Sequence, residues 1–131
     1  MLIIREVEYA IMILDELNKQ SPLSATAISD RRGIPSPFIY RVLKKMEKVG
    51  FLTVKRGTGG GYEIAADLRG LTLLDVISAF DNTFVVIECM KSQYNCSRTT
   101  KHDCCMHRAF SGIHHKLQME FSRNNLADLL S

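Results

Sequence analysis

Residues 34–64 read IPSPFIYRVLKKMEKVGFLTVKRGTGGGYEI, and this stretch decides the fold. Pro35, Ser36 and Pro37 suit the first turn of a helix, where a missing N–H costs nothing and a fixed φ is already helical. From there Ile39, Val42, Leu43, Met46 and Val49 recur at helical spacing and form an apolar face. Arg41, Lys44, Lys45 and Lys48 repeat on the other side. One face is fit to pack, the other to meet phosphates. Gly50 closes the helix. Phe51-Leu52-Thr53-Val54 then has strand character, Lys55 to Gly61 is a turn with basic shoulders, and Tyr62-Glu63-Ile64 returns as a second strand. The glycines could also serve a phosphate loop, but that requires a following helix and a Lys-Ser/Thr pair, and here a strand follows.

Working back, Leu2 to Lys19 reads as a helix with Ile3, Val7, Ala10, Ile11, Leu14 and Leu17 near the helical period. Ser21-Pro22-Leu23 breaks it. Ser24 is a good N-cap for a short helix from Ala25 to Arg31, and Gly33 supplies the turn after it. Two helices, a glycine turn and a half-basic third helix make a helix-turn-helix, with residues 51–64 as its wing. Ser36, Pro37, Phe38, Tyr40 and Arg41 would sit deepest in a major groove, while Lys44 and Lys48 are better placed for phosphates. Arg56 beside the turn is suited to a narrow minor groove. With Ser24 and Thr58 these form the candidate DNA-binding set.

Charge agrees. The segment from Arg31 to Arg56 carries eight basic residues and one acid, a balance of +7, whereas the rest of the chain carries nine basic and thirteen acidic residues. One basic segment on a mildly acidic body points to a polyanion partner. The 131 residues, 46% hydrophobic, can bury a core. No apolar run reaches membrane-spanning length, and the N-terminus turns acidic too soon for a signal peptide. A cytoplasmic protein with no membrane partner is expected.

The second half differs. Thr72 should cap a helix through Ala79, ended by Asp81-Asn82. Phe84-Val85-Val86-Ile87 is a short apolar segment, and Lys91 to Asp103 reads as a loop. A long helix should run from Cys104 or Cys105 to about Ser122, with Met106, Ala109, Phe110, Ile113, Leu117 and Phe121 as a stripe suited to a partner helix. The division expected is a DNA-binding unit at 1–80 and a sensor and dimerisation unit at 81–131. All four cysteines, Cys89, Cys96, Cys104 and Cys105, fall within 17 residues, with His107 close behind. In a cytosolic protein such a cluster suggests metal binding or redox chemistry. Soft thiolates suit an iron–sulfur cluster or zinc, and a reversible disulfide is the other option. His102 is a spare ligand; His114 and His115 read as solvated or interface residues.

The run Ile34-Pro35-Ser36, then Leu43 to Leu52, then Arg56-Gly57-Thr58-Gly59-Gly60-Gly61-Tyr62 resembles the winged-helix regulators that include IscR, NsrR and CymR. The likeness continues through Leu71 to Ile77, the cysteines and Asn125 to Leu130. It implies a homodimer built on the long C-terminal helix. It also implies that Cys89, Cys96 and Cys104 hold a two-iron two-sulfur cluster. The fourth ligand would be either His107 or, across the dimer, Glu8 just before Tyr9. This loop is longer than is usual in that family, and Cys105 is an extra thiol.

The expectation is therefore a mainly α fold, a winged helix-turn-helix with a two-stranded wing and a long dimerisation helix. Its partners would be a palindromic operator in double-stranded DNA and a second copy of itself. Its function would be regulation of transcription, most simply repression, set by iron–sulfur, redox or nitric-oxide status. A cluster-free thiol switch or effector-binding regulator of the same fold is the alternative. A small iron–sulfur electron carrier is the second, though it would need neither the basic helix nor the wing. No acid–base pair or activated nucleophile suggests an enzyme.

Overall fold

A computed structural model describes residues 3–82, 84–97 and 103–131. The elements in chain order are α1 (Arg5–Lys19), α2 (Ala25–Arg32), α3 (Ser36–Lys48), β1 (Leu52–Lys55), β2 (Gly61–Ile64), α4 (Leu73–Phe80), a 3-10 turn (Glu88–Met90), α5 (Cys105–Arg123) and α6 (Leu126–Leu129). The architecture is the expected mainly α winged helix-turn-helix with one antiparallel hairpin.

α1 starts later than its apolar pattern, because Ile4 is extended and offers no side-chain cap. Its buried face is Val7, Ala10, Ile13, Leu14 and Leu17; Ile13 takes the place anticipated for Ile11. Ser24 caps α2, its Oγ accepting from the Ala27 N–H at 3.1 Å. Gly33 ends that helix at φ 66°, a conformation cheap only for glycine. α3 buries Ile39, Val42, Leu43 and Met46. Val49 departs from that face: it is the C-cap residue, one step past the last helical turn, and is 40% exposed.

The wing pairs Leu52 with Ile64 and Lys55 with Gly61. Two backbone hydrogen bonds fasten it to the helices. The Leu23 N–H donates to the Tyr62 carbonyl at 3.2 Å, and the Tyr62 N–H donates to the Leu23 carbonyl at 2.7 Å. Gly61 makes this bridge possible. At φ 147°, a Cβ there would stand 2.5 Å from the Leu23 carbonyl. At Gly60 a Cβ would strike the Lys55 carbonyl oxygen. The triple glycine thus closes the turn and lets the hairpin lie against the start of α2.

α4 opens with a capping box, Thr72 and Asp75 each bonding the other's backbone N–H. The C-terminus returns to this point. The Leu73 N–H donates to the Asn124 carbonyl at 2.8 Å, and the Leu126 N–H to the Leu71 carbonyl at 2.8 Å. Leu126 is fully buried in the same core as the first three helices.

α5 has no fully buried residue, and its apolar stripe divides. Phe110, Leu117 and Phe121 are half-buried. Phe84 bridges to this side, its ring centroid 5.8 Å from His114 and 6.1 Å from Phe121. Met106, Ala109 and Ile113 are exposed. Among the described residues no helix is long and apolar enough to cross a membrane.

Gly61→Ala should cost about 1–3 kcal/mol through strain at the bridge, and Leu126→Ala about 2–5 kcal/mol through the cavity it leaves. Denaturant unfolding measures both. Wild-type midpoints would show that neither the close approach nor the returning C-terminus holds the fold.

Candidate nucleic-acid interface and cysteine site

Because the inner face of α3 is apolar and sealed, its polar side chains project outward. Ser36, Pro37, Tyr40, Arg41, Lys44, Lys45 and Lys48 are all exposed. Phe38 is not among them: it is half-buried, with its ring 5.8 Å from that of Tyr9. The Arg41 guanidinium lies 4.9 Å from the Phe38 ring centroid, and its Nη2 donates to Glu6 Oε1 at 3.1 Å. Arg56 and Thr58 are exposed on the wing. Ser24 is exposed beside the wing's anchoring bridge, with its hydroxyl oxygen engaged as the α2 cap.

Two of the eight basic residues counted in the sequence serve elsewhere. Arg32 pairs with Asp15 at 2.8 Å, and Arg31 reaches Glu16 at 3.4 Å and Gln20 at 2.9 Å. These ties hold α2 to α1. A hydrogen bond from Lys19 lowers the Asp15 carboxyl below its ordinary value, with Arg32 adding to the effect and burial opposing it. A depressed carboxylate contributes stability that is present above its unfolded pKa and lost as pH falls through the folded value. The other six basic residues of the segment are exposed on α3 and the wing: Arg41, which pairs with Glu6, and Lys44, Lys45, Lys48, Lys55 and Arg56.

At the other end, Cys104 is the N-cap of α5, its Sγ accepting from the His107 N–H at 3.4 Å. Cys89, half-buried on the 3-10 turn, brings its Sγ to 3.3 Å from His107 Nδ1. At the start of α5, then, one sulfur meets the His107 imidazole and another meets the backbone N–H of the same residue. Cys96 and Cys105 are exposed, and none of the four cysteines is joined in a disulfide. Glu8 stands apart on α1, paired with Arg5 at 3.2 Å. His102 lies outside the described residues. His115 is exposed; His114 packs on Phe84 with its Nδ1 buried and without a hydrogen-bond partner. Among the described residues no group of three or more His, Cys, Asp or Glu is gathered tightly enough for a metal ion. Glu6 and Tyr9, which hold Arg41 and Phe38, carry no motif of their own in the sequence. The acidic first turn of α1 was the only hint of Glu6.

A family profile described as Rrf2, iron-dependent transcriptional regulator, matches residues 3–131. The chain belongs to the Rrf2 family. Among Rrf2 relatives, IscR of Vibrio parahaemolyticus is 25% identical over 114 residues, covering 87% of this chain and 66% of that protein. The chain therefore spans just under two thirds of that relative's length. The structure of CymR from B. subtilis, described as its global cysteine regulator, matches with a TM-score of 0.78 at 17% identity, covering 98% of this chain and 95% of CymR. T. potens IscR matches with a TM-score of 0.71 at 19% identity, covering 98% and 85%. At such identities the structures establish the shared fold. The curated relatives are transcription regulators and not enzymes, and this Rrf2 chain is a DNA-binding transcription regulator.

Lys44→Ala and Lys48→Ala should each lower the salt slope of DNA binding by about one, whereas Arg31→Ala should leave it unchanged; titrations at several salt concentrations decide. On the acid side, stability should fall as pH drops below the ordinary Asp15 value of 3.8. Asp15→Asn should remove part of that fall, about 1 kcal/mol at most for a cluster that still reaches solvent through Lys19. Identical acid unfolding curves would leave the Lys19–Asp15–Arg32 cluster without a role.

Proposed function

We propose that this Rrf2-family protein is a homodimeric repressor that reads a palindromic operator through α3 and the wing. Its grip answers to iron–sulfur, redox or nitric-oxide status through a [2Fe–2S] cluster on Cys89, Cys96, Cys104 and His107. The observation that carries this reading is the 3.3 Å approach of Cys89 Sγ to His107 Nδ1, between residues 18 apart in sequence. Cys104 lies one helical turn before the same histidine. Thiolates with an imidazole are a donor set that suits iron–sulfur ligation. His107 is preferred over Glu8, which is turned to Arg5 and half exposed. When bound, the cluster would supply a group sensitive to oxidants and nitric oxide.

The protein's part is mechanical. Cys104 caps α5, so its engagement or release acts directly on the first turn of that helix. α5 packs on α4, and α4 packs on both α1 and α3. The exposed Met106, Ala109 and Ile113 lie along the same helix and are the surface offered to a second copy. A shift of α5 would then change how two recognition helices span half-sites about 34 Å apart. A coupling of about 1–3 kcal/mol changes occupancy severalfold to a hundredfold.

Protein purified without oxygen should be red-brown. Cys89→Ala, Cys96→Ala and Cys104→Ala should abolish the colour, His107→Ala should leave it labile, and Cys105→Ala and Glu8→Ala should change it little. If iron and sulfide reconstitution leaves the wild type colourless while an oxidant changes DNA binding, the thiol switch replaces the cluster. Met106→Glu/Ile113→Glu should sediment as a monomer and lose operator affinity. A monomeric wild type at micromolar concentration would refute the dimer.

A further inference from the structure

The Arg41 guanidinium is held from two sides, and both supports come through α1. Glu6 Oε1 accepts from Nη2 at 3.1 Å. The Phe38 ring lies beneath the guanidinium at 4.9 Å and itself packs on Tyr9 at 5.8 Å. The pair is unequally exposed: the Glu6 side chain is 30% exposed and that of Arg41 60%. An arginine alone on a solvated helix face samples many rotamers and must give them up on binding. Here the ring contact and the carboxylate together restrict the positions open to the fork. Nη2 keeps a second N–H, and Nη1 and Nε keep theirs, so the fork retains its donors for another partner. The arrangement has a cost. A carboxylate on a phosphate-binding surface repels every DNA sequence alike. An arrangement that weakens general binding while ordering one arginine favours selectivity over affinity.

We infer that Glu6 is a positioning residue that makes Arg41 a determinant of sequence specificity. It presents the Arg41 fork to a base edge in the major groove, best matched by the paired acceptors of guanine. It also holds down affinity for duplexes that lack that base. The inference rests on the docking of α3 proposed above and adds the residue that tunes it.

The test uses the full-length protein and a library of randomised duplex DNA. Wild type selects its preferred duplex, and dissociation constants are then measured for that duplex, its single-base variants and an unrelated duplex. Glu6→Gln should lose discrimination at one base pair by about three- to tenfold, while binding the unrelated duplex more tightly. Arg41→Ala should lose discrimination at the same base pair. Adding Glu6→Gln to Arg41→Ala should cost no further discrimination, which a merely structural role for Glu6 would not produce. Full discrimination in Glu6→Gln overturns the inference, as does an equal loss in the Arg41→Ala background. If wild type selects no duplex, the proposed docking fails and the inference falls with it. If selection succeeds and Glu6→Gln behaves as wild type, only the inference falls.

Discussion

The inner face of α3 is the constraint on which the rest depends. Ile39, Val42, Leu43 and Met46 are each at most 1% exposed. Among the described residues no polar or charged residue belongs to the buried core, and the lysines of α3 are all exposed. Burying an unpaired ammonium would cost far more than rotating the helix could return. Hydrophobic burial therefore orients the cations. α1 and α2 supply the opposing apolar surface, and the bridge between Leu23 and Tyr62 sets the wing beside the helix-turn-helix.

The two halves of the chain share that core. Leu126 fills it from the C-terminal end, and α4 packs on α5 as well as on α1 and α3. Cys104 is both a candidate ligand and the cap of α5, which places chemistry and helix stability on one sulfur. Electrostatics are divided as carefully. Arg31 and Arg32 join α2 to α1, the cations of α3 and the wing face outward, and Glu6 pairs with one of them, Arg41.

Local signals made much of this legible in sequence. Ser24, Gly33 and Thr72 act within three to five residues of themselves, and the structure uses each as its type suggests. The apolar period of α3 gave its buried face directly. Failures came where a distant partner decides. Arg31 and Arg32 count toward the basic segment in sequence, but α1 brings Glu16 and Asp15 to them from 15 to 17 positions away. Nor does local pattern show that the Phe38 ring packs on Tyr9, 29 positions earlier. The stripe on α5 reads as one surface, although Phe84 covers part of it and Met106 and Ile113 remain outside. At the cysteine site, residue types and order suggest candidate ligands, but spacing alone could not bring Cys89 to His107. Boundaries slipped where a residue lacks a strong local preference, as at Ile4 before α1 and Val49 after α3.

The most direct test of the link between the cysteine site and DNA is one affinity measured twice on one preparation. Operator binding is titrated anaerobically with the reconstituted protein, then again after a chelator and oxidant have stripped it. The expected result is a change in dissociation constant of roughly five- to 150-fold, absent in Cys89→Ala. Equal affinities for reconstituted and stripped wild type, with the colour demonstrably gone, would contradict the account.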